Sequence, residues 1–185
     1  YKRQTFDTVT QVRSARVWLG LRGRLGSAAV AWYVAELVER ATSDEQPEPE
    51  LYRLLIRAWD LLEAGAPDAL VARWAELALL DAGGHGPELD TCLSCGRAPD
   101  AGEPLRWDSE GGGIRCDAHA LGRPLSSDAL RLLRALRRFA PEALVPLTLP
   151  VGPLREVSSA LRGAVHLLFG VEPKSRSFMD EVLAP

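Results

Sequence analysis

The sequence predicts a mainly α fold: a helical bundle interrupted once by a small inserted module. Three observations carry that expectation. Several long segments repeat their apolar residues every three to four positions, as a helix with one buried stripe does. One stretch, "TCLSCGRAPDAGEPLRWDSEGGGIRCDAHA", lacks that period, is rich in glycine and holds all three cysteines of the chain. The bulk composition is ordinary for a globular protein: 185 residues, 46% hydrophobic and 25% charged, enough for one domain with a real core or one domain plus a small module.

The opening "YKRQTFDTVTQV" alternates and is β-branched at Thr8, Val9, Thr10 and Val12, which reads as strand. A lone strand has no partner in a helical chain, so residues 1–13 are expected to be a remnant strand and linker leaving an upstream β domain. Residues 14–185 are expected to form the helical domain. Over 28–41, Val30, Tyr33, Val34, Leu37 and Val38 share one stripe. The polar "TSDEQPEPE" at 42–50 reads as a loop. "ELYRLLIRAWDLLEAG" is a second helix with Leu51, Leu54, Leu55, Ala58 and Leu62 inward and Gly65 as its stop. "PDALVARWAELALLDAGG" is a third, with Pro67 near its first turn. After the cysteine segment, helix returns at "SSDALRLLRALRRF", where Ser126, Ser127 and Asp128 offer N-caps. "PEALVPLTLP" is a proline-rich loop. "PLREVSSALRGAVHLLFG" is the last long helix, burying Leu154, Val157, Leu161, Ala164, Val165 and Leu168, and "PKSRSFMDEVLAP" follows as a basic, then apolar, tail.

In the inserted segment, at about 90–120, the spacing is C-x2-C, twenty residues, then C-x2-H: Cys92, Cys95, Cys116 and His119. Two ligands three apart form a tight clip, and two clips complete a tetrahedron around one ion, so the pattern points to one structural Zn2+. An odd number of cysteines cannot close a disulfide set, which favours a reducing compartment. The intervening residues suit a short β-hairpin, with Trp107 as an apolar plug and Gly111, Gly112 and Gly113 at the turn. Four soft ligands leave no open coordination position, and three thiolates with a neutral imidazole make the filled site anionic. The knuckle is expected to unfold alone if its metal is lost.

The net charge of −3 means that any nucleic-acid contact must rest on local basic patches. No apolar run approaches the ~20 residues needed to cross a bilayer, and no leader precedes the helices, so the cytoplasm is the expected compartment. There is no phosphate-binding G-x-x-x-x-G-K-[ST] and no G-x-S-x-G; "GLRGRLG" follows no strand–helix context. His85 and His166 have no nucleophile beside them and read as surface and core histidines. The chain is therefore expected not to be an enzyme.

The ordered set "AWYVAELVER", "ELYRLLIRAWDLLEAG", "RWAELALLDAGGHGPELDTCLSCG", "GGIRCDAH" and "PKSRSF" resembles the bacterial RecO family of recombination mediators from about residue 8 to 178. The resemblance implies an N-terminal OB-fold ahead of a helical domain with a zinc knuckle, so that the first residues here would be the OB-fold's exit. It implies a DNA repair and recombination role in the nucleoid. Such a protein binds single- and double-stranded DNA, anneals complementary strands and acts with RecR. It remodels single-stranded DNA-binding protein so that RecA can load. The usual fourth cysteine is His119 here, an accepted zinc ligand.

Candidate DNA contacts are Arg97, Arg115 and Arg123 around the knuckle, with Arg106 beside them; the Arg131, Arg134 and Arg138 face at i, i+3, i+7; and Lys174 and Arg176 of the tail. The acidic, apolar C-terminal tail of single-stranded DNA-binding protein needs a greasy groove with a cation at its rim. The second and third helices offer one in Leu54, Leu55, Arg57, Arg73, Trp74 and Leu77, with Arg73 as the carboxylate partner. The alternative is a zinc-knuckle scaffold or transcription-associated interaction protein without annealing activity; a metal-dependent enzyme is the third reading.

Overall fold

The computed structural model describes residues 10–43, 47–147 and 151–184. Seven helices and a three-stranded sheet form among them: α1 (Leu19–Arg22), α2 (Leu25–Ala41), α3 (Pro49–Glu63), α4 (Asp68–Ala82), β1 (Leu105–Asp108), β2 (Gly113–Arg115), β3 (Arg123–Leu125), α5 (Ser127–Arg138), α6 (Val151–Phe169) and α7 (Lys174–Val182). Short 3-10 turns cover Asp117–His119 and Pro141–Leu144. None of the described helices is long and apolar enough to cross a membrane.

The expected opening strand falls partly on residues 1–9, which lie outside the described residues. Over 10–18 the backbone is neither strand nor helix, as befits a segment with no strand beside it to pair with. The loop expected to run to residue 50 ends earlier, because Pro49 begins α3. Proline suits a helix's first turn, whose N–H groups lack intrahelical partners. α3 closes as the glycine in "EAG" predicts: Ala66 N–H donates to Leu61 O and Gly65 N–H to Leu62 O, the paired bonds that satisfy a helix's last carbonyls.

α4 is the hub. Leu70 to Leu77, Leu79 and Leu80 are all buried, because α2, α3, α5 and α6 pack around it. A helix covered on every side cannot keep a polar face in water, and its polar residues Arg73 and Glu76 are buried with it. α7 packs on α2. There Glu36 of α2 accepts the Lys174 and Ser175 N–H groups, each at 2.8 Å, so a carboxylate from one helix caps the start of another.

The expected hairpin gains a third strand. The sheet order is β2-β1-β3, antiparallel throughout, with Trp107 opposite Ile114 on one side and Arg123 on the other. Strand period two puts Leu105, Trp107, Ile114 and Leu125 on one face, all buried. Together with Leu89 they belong to the same core cluster as the helices. The insert is therefore part of the one core and not a separate knob. Polar contacts fasten it further: Arg134 grips Leu89 O at 2.6 and 3.0 Å, Arg137 donates to Pro87 O at 2.9 Å, and Arg123 reaches Ser159 of α6 at 3.0 Å. α5 starts as read: the Ser126 hydroxyl accepts Ala129 N–H at 3.1 Å. His166 is exposed, not a core residue.

Candidate metal centre and basic surface

Cys92, Cys95, Cys116 and His119 converge, with one donor atom of each within 4.8 Å of all the others. The first clip forms on the turn after α4. Gly96 takes φ +70°, and its N–H closes back on Cys92 O at 2.8 Å. The second clip is built by the 3-10 turn that follows β2, where His119 N–H donates to Cys116 O at 2.9 Å. Leu93 N–H to Ile114 O at 3.0 Å ties the two clips together.

The donor separations suit a single tetrahedral ion. Sulfur ligands ~2.3 Å from a shared centre sit about 3.8 Å apart. Here Cys95 Sγ and Cys116 Sγ are 3.9 Å apart. His119 Nδ1 lies 3.9 Å from Cys92 Sγ and 3.2 Å from Cys116 Sγ. The electrostatics agree. Burial pushes the Cys92 thiol up, but the backbone N–H groups of Cys116, Cys95 and Ser94 aimed at its sulfur outweigh it, and it falls to about 6. Burial and then the neighbouring Cys92 and Cys95 sulfurs push Cys116 up. One thiolate thus makes the next harder to form, and a cation among them removes that penalty. Two ligands are buried and two exposed, so the cluster sits at the rim of the core.

The cations read from sequence meet several fates. Arg97 is held by Glu103 at 2.7 and 2.9 Å and Asp100 at 3.0 Å. Arg115 pairs with Asp108 at 2.6 Å, whose carboxyl is held below its usual range by the Gly111 N–H and, after burial's opposing push, by Arg115. Arg131 pairs with Asp128. Arg134 spends its guanidinium on Leu89 O and Asp90, so the Arg131–Arg134–Arg138 face is broken at its middle. Arg123, Arg138 and the Lys174 side chain carry no ion pair among the described residues. They are not one patch: Arg123 precedes α5 and Arg138 ends it, and a helix of that length spans ~18 Å.

Two expectations need correcting. Arg176 is 1% exposed and faces the interior. It donates to Glu76 Oε1 at 2.7 Å and Tyr33 O–H at 2.9 Å and meets Asp180 at 3.2 Å, because buried Glu76 requires a cation. The groove expected between α3 and α4 is closed: Leu54, Trp74 and Leu77 are buried core residues, and Arg73, 3% exposed, turns toward Ser158 of α6 at 2.6 Å and Glu76 at 3.2 Å. Arg57 is exposed and bonded to Glu142 at 2.8 and 2.9 Å, and Leu55 is half-buried. The Tyr33–Glu76–Arg176–Asp180 cluster was missed from sequence; its one trace is Arg73 and Glu76 three apart inside an otherwise apolar helix.

The family model described as "Recombination protein O C terminal" matches residues 22–177. The chain belongs to the RecO family. It is 38% identical over 182 residues to the DNA repair protein RecO of Anaeromyxobacter sp. (strain K), covering 95% of this chain and 69% of that protein. The RecO of Desulforudis audaxviator is 31% identical over 180 residues, covering 95% and 71%. That of Dehalococcoides mccartyi (strain ATCC BAA-2100 / JCM 16839 / KCTC 5957 / BAV1) is 26% identical over 182 residues, covering 97% and 72%. The family match spans both the bundle and the whole cysteine segment, so knuckle and helices are matched together.

Proposed function

We propose that the chain acts in DNA repair as a recombination mediator. It binds single- and double-stranded DNA, anneals complementary strands, and with RecR helps RecA load onto single strands. It works by binding, without turnover of a substrate. The observation that carries this reading is the family match across residues 22–177, because a match to bundle and knuckle in one frame is far more specific than a helical bundle alone. The Cys3His cluster is proposed to hold one Zn2+, for which three thiolates and an imidazole are a fitting donor set; the ion would staple the two clips. Annealing of complementary oligonucleotides, followed with and without the protein, tests the role: no acceleration at saturating protein leaves the zinc-knuckle scaffold as the reading. Elemental analysis of chelator-free protein is expected to give one zinc per chain.

Phosphate contacts are assigned to the cations free of carboxylates, above all Arg123, Arg138 and Lys174, with Arg131 held only by its exposed neighbour. Reversing Arg131 and Arg138 to Glu is expected to weaken binding evenly across sequences and to flatten the salt dependence by about one unit per lost contact. The partner tail of single-stranded DNA-binding protein is proposed to bind away from the closed α3–α4 seam. A cleft of about 380 Å3 between α4, α6 and α7 is lined by Val151, Leu154 and Leu183 with Arg73, Arg155, Ser158 and Asp180. It combines apolar walls with exposed Arg155 at the mouth. A fluorescent tail peptide is expected to bind more weakly to Arg155→Glu; equal affinities would remove the cleft.

A further inference from the structure

Three of the five tryptophans of the chain gather far from the knuckle in sequence. Trp18, Trp32 and Trp59, with Ala28, Ala31, Ala35, Leu21 and Arg22, line an open cleft of about 550 Å3. Its construction is specific. Trp18 and Trp59 stand edge to face, centroids 5.0 Å apart at 81°. Each is fixed by its indole N–H, Trp18 to Asp60 Oδ1 at 2.9 Å and Trp59 to Ala31 O at 3.2 Å. The floor is a stripe of three alanines on α2. Trp32, on the same helix, also lines the cleft and is 76% exposed. Among the described residues Trp32 belongs neither to the core cluster nor to the side chains packed against it.

Of the arginines nearby in the chain, Arg22 is the one that lines the cleft. Arg16 pairs with Asp60, and Arg24 donates to Leu62 O and to Ser27. Arg22 is exposed at the end of α1, and its side chain has no ion-pair or hydrogen-bond partner among the described residues. A cleft with an exposed indole, small side chains and one guanidinium unpaired among the described residues matches a nucleotide: a π-face to stack and a phosphate to pair. A proline-rich peptide could also lie against the tryptophans, but it would leave Arg22 unanswered.

We propose that this cleft is a stacking site for an unpaired base of single-stranded DNA, with Trp32 as the platform and Arg22 on the adjoining phosphate. The inference rests on the DNA-binding reading above and adds to it a site distinct from the knuckle and α5. Within a duplex the faces of each base are covered by its stacked neighbours, so the site discriminates single strand from duplex.

The test uses the full chain and three probes of equal length: a single-stranded oligonucleotide, the same strand with abasic sites throughout, and the duplex. Trp32→Ala is expected to weaken binding of the normal single strand by about tenfold and to leave the abasic strand and the duplex unchanged. Trp32→Phe, which keeps a ring, is expected to retain most of the affinity. Equal binding of the normal strand by wild type and Trp32→Ala overturns the site while leaving DNA binding intact. An equal loss on normal and abasic strands overturns stacking, since no base is then involved. Quenching of Trp32 fluorescence by a proline-rich peptide but not by the oligonucleotide assigns the cleft to a peptide instead. Should the wild type bind none of the three probes, the DNA-binding reading falls, and the site with it.

Discussion

Arg176 shows how one residue can be legible in type and misread in role. In "PKSRSF" it reads as one of two tail cations, because a nine-residue helix has too few turns to show which side faces in. The buried partner that claims it, Glu76, sits a hundred residues away on α4. Arg73 and Arg176 meet Glu76 and Asp180 there, and Arg162 reaches Asp180 at 3.6 Å while pairing with Glu172 at 2.6 Å. Tyr33 shares the cluster, its phenol pushed well up by burial and then by Glu76. Arg176 also lies over the Tyr33 ring, 5.4 Å from its centroid. Glu76 Oε2 has no well-aligned hydrogen bond, yet Arg73 Nε stands 3.2 Å away; the ion pair is the better description, since charge attraction does not need a straight bond. Removing one member of a buried pair strands the other charge, at a cost of about 3–5 kcal/mol. Arg176→Ala is accordingly expected to lower the urea midpoint strongly. If DNA contact were its main role, the midpoint would stay put and the DNA affinity would fall instead.

Among the elements, helix positions were legible wherever one face of the helix stayed in water. α2 buries the residues its periodicity names and α3 all but half-buried Leu55, and the glycine after α3 and the serine before α5 work as capping chemistry predicts. What local pattern could not reveal was which helices touch. α7 is held by Glu36, whose carboxyl falls to about 2 from 4.5; burial opposes the shift, and hydrogen bonds from Ser175 and Lys174 overcome it. The folded state thus binds this proton more weakly than the unfolded chain does. The stabilisation is full above about pH 4.5 and disappears as the pH falls toward 2, and it is on the order of 3 kcal/mol. Thermal unfolding of wild type and Glu36→Gln should differ at neutral pH and converge through that window. A constant gap down to pH 2 would mean that the cap contributes through shape and not through charge.

Across the whole molecule, the cysteine spacing announced the metal centre, and the structure assembles the same four residues. It did not announce that the insert shares the bundle's core. That required the third strand, β3, whose Leu125 is too short a signal to read alone, and the reach of Arg134 and Arg137 to carbonyls before the first clip. This changes what metal loss should do. A knuckle standing free would unfold by itself and leave the helices at their usual melting temperature. Here Leu89, Leu105, Trp107, Ile114 and Leu125 would be withdrawn from the core they share with the helices when the clips open, uncovering apolar area worth about 1.5–3 kcal/mol per large side chain. Chelation, or Cys95→Ser, is therefore expected to lower the melting temperature of the helices themselves, read by circular dichroism, in one transition shared with the fluorescence of Trp107. Site-specific labelling, with the other four tryptophans replaced by phenylalanine, isolates that signal. Two transitions, with the helical one unmoved by chelator, would make the knuckle an independent unit after all.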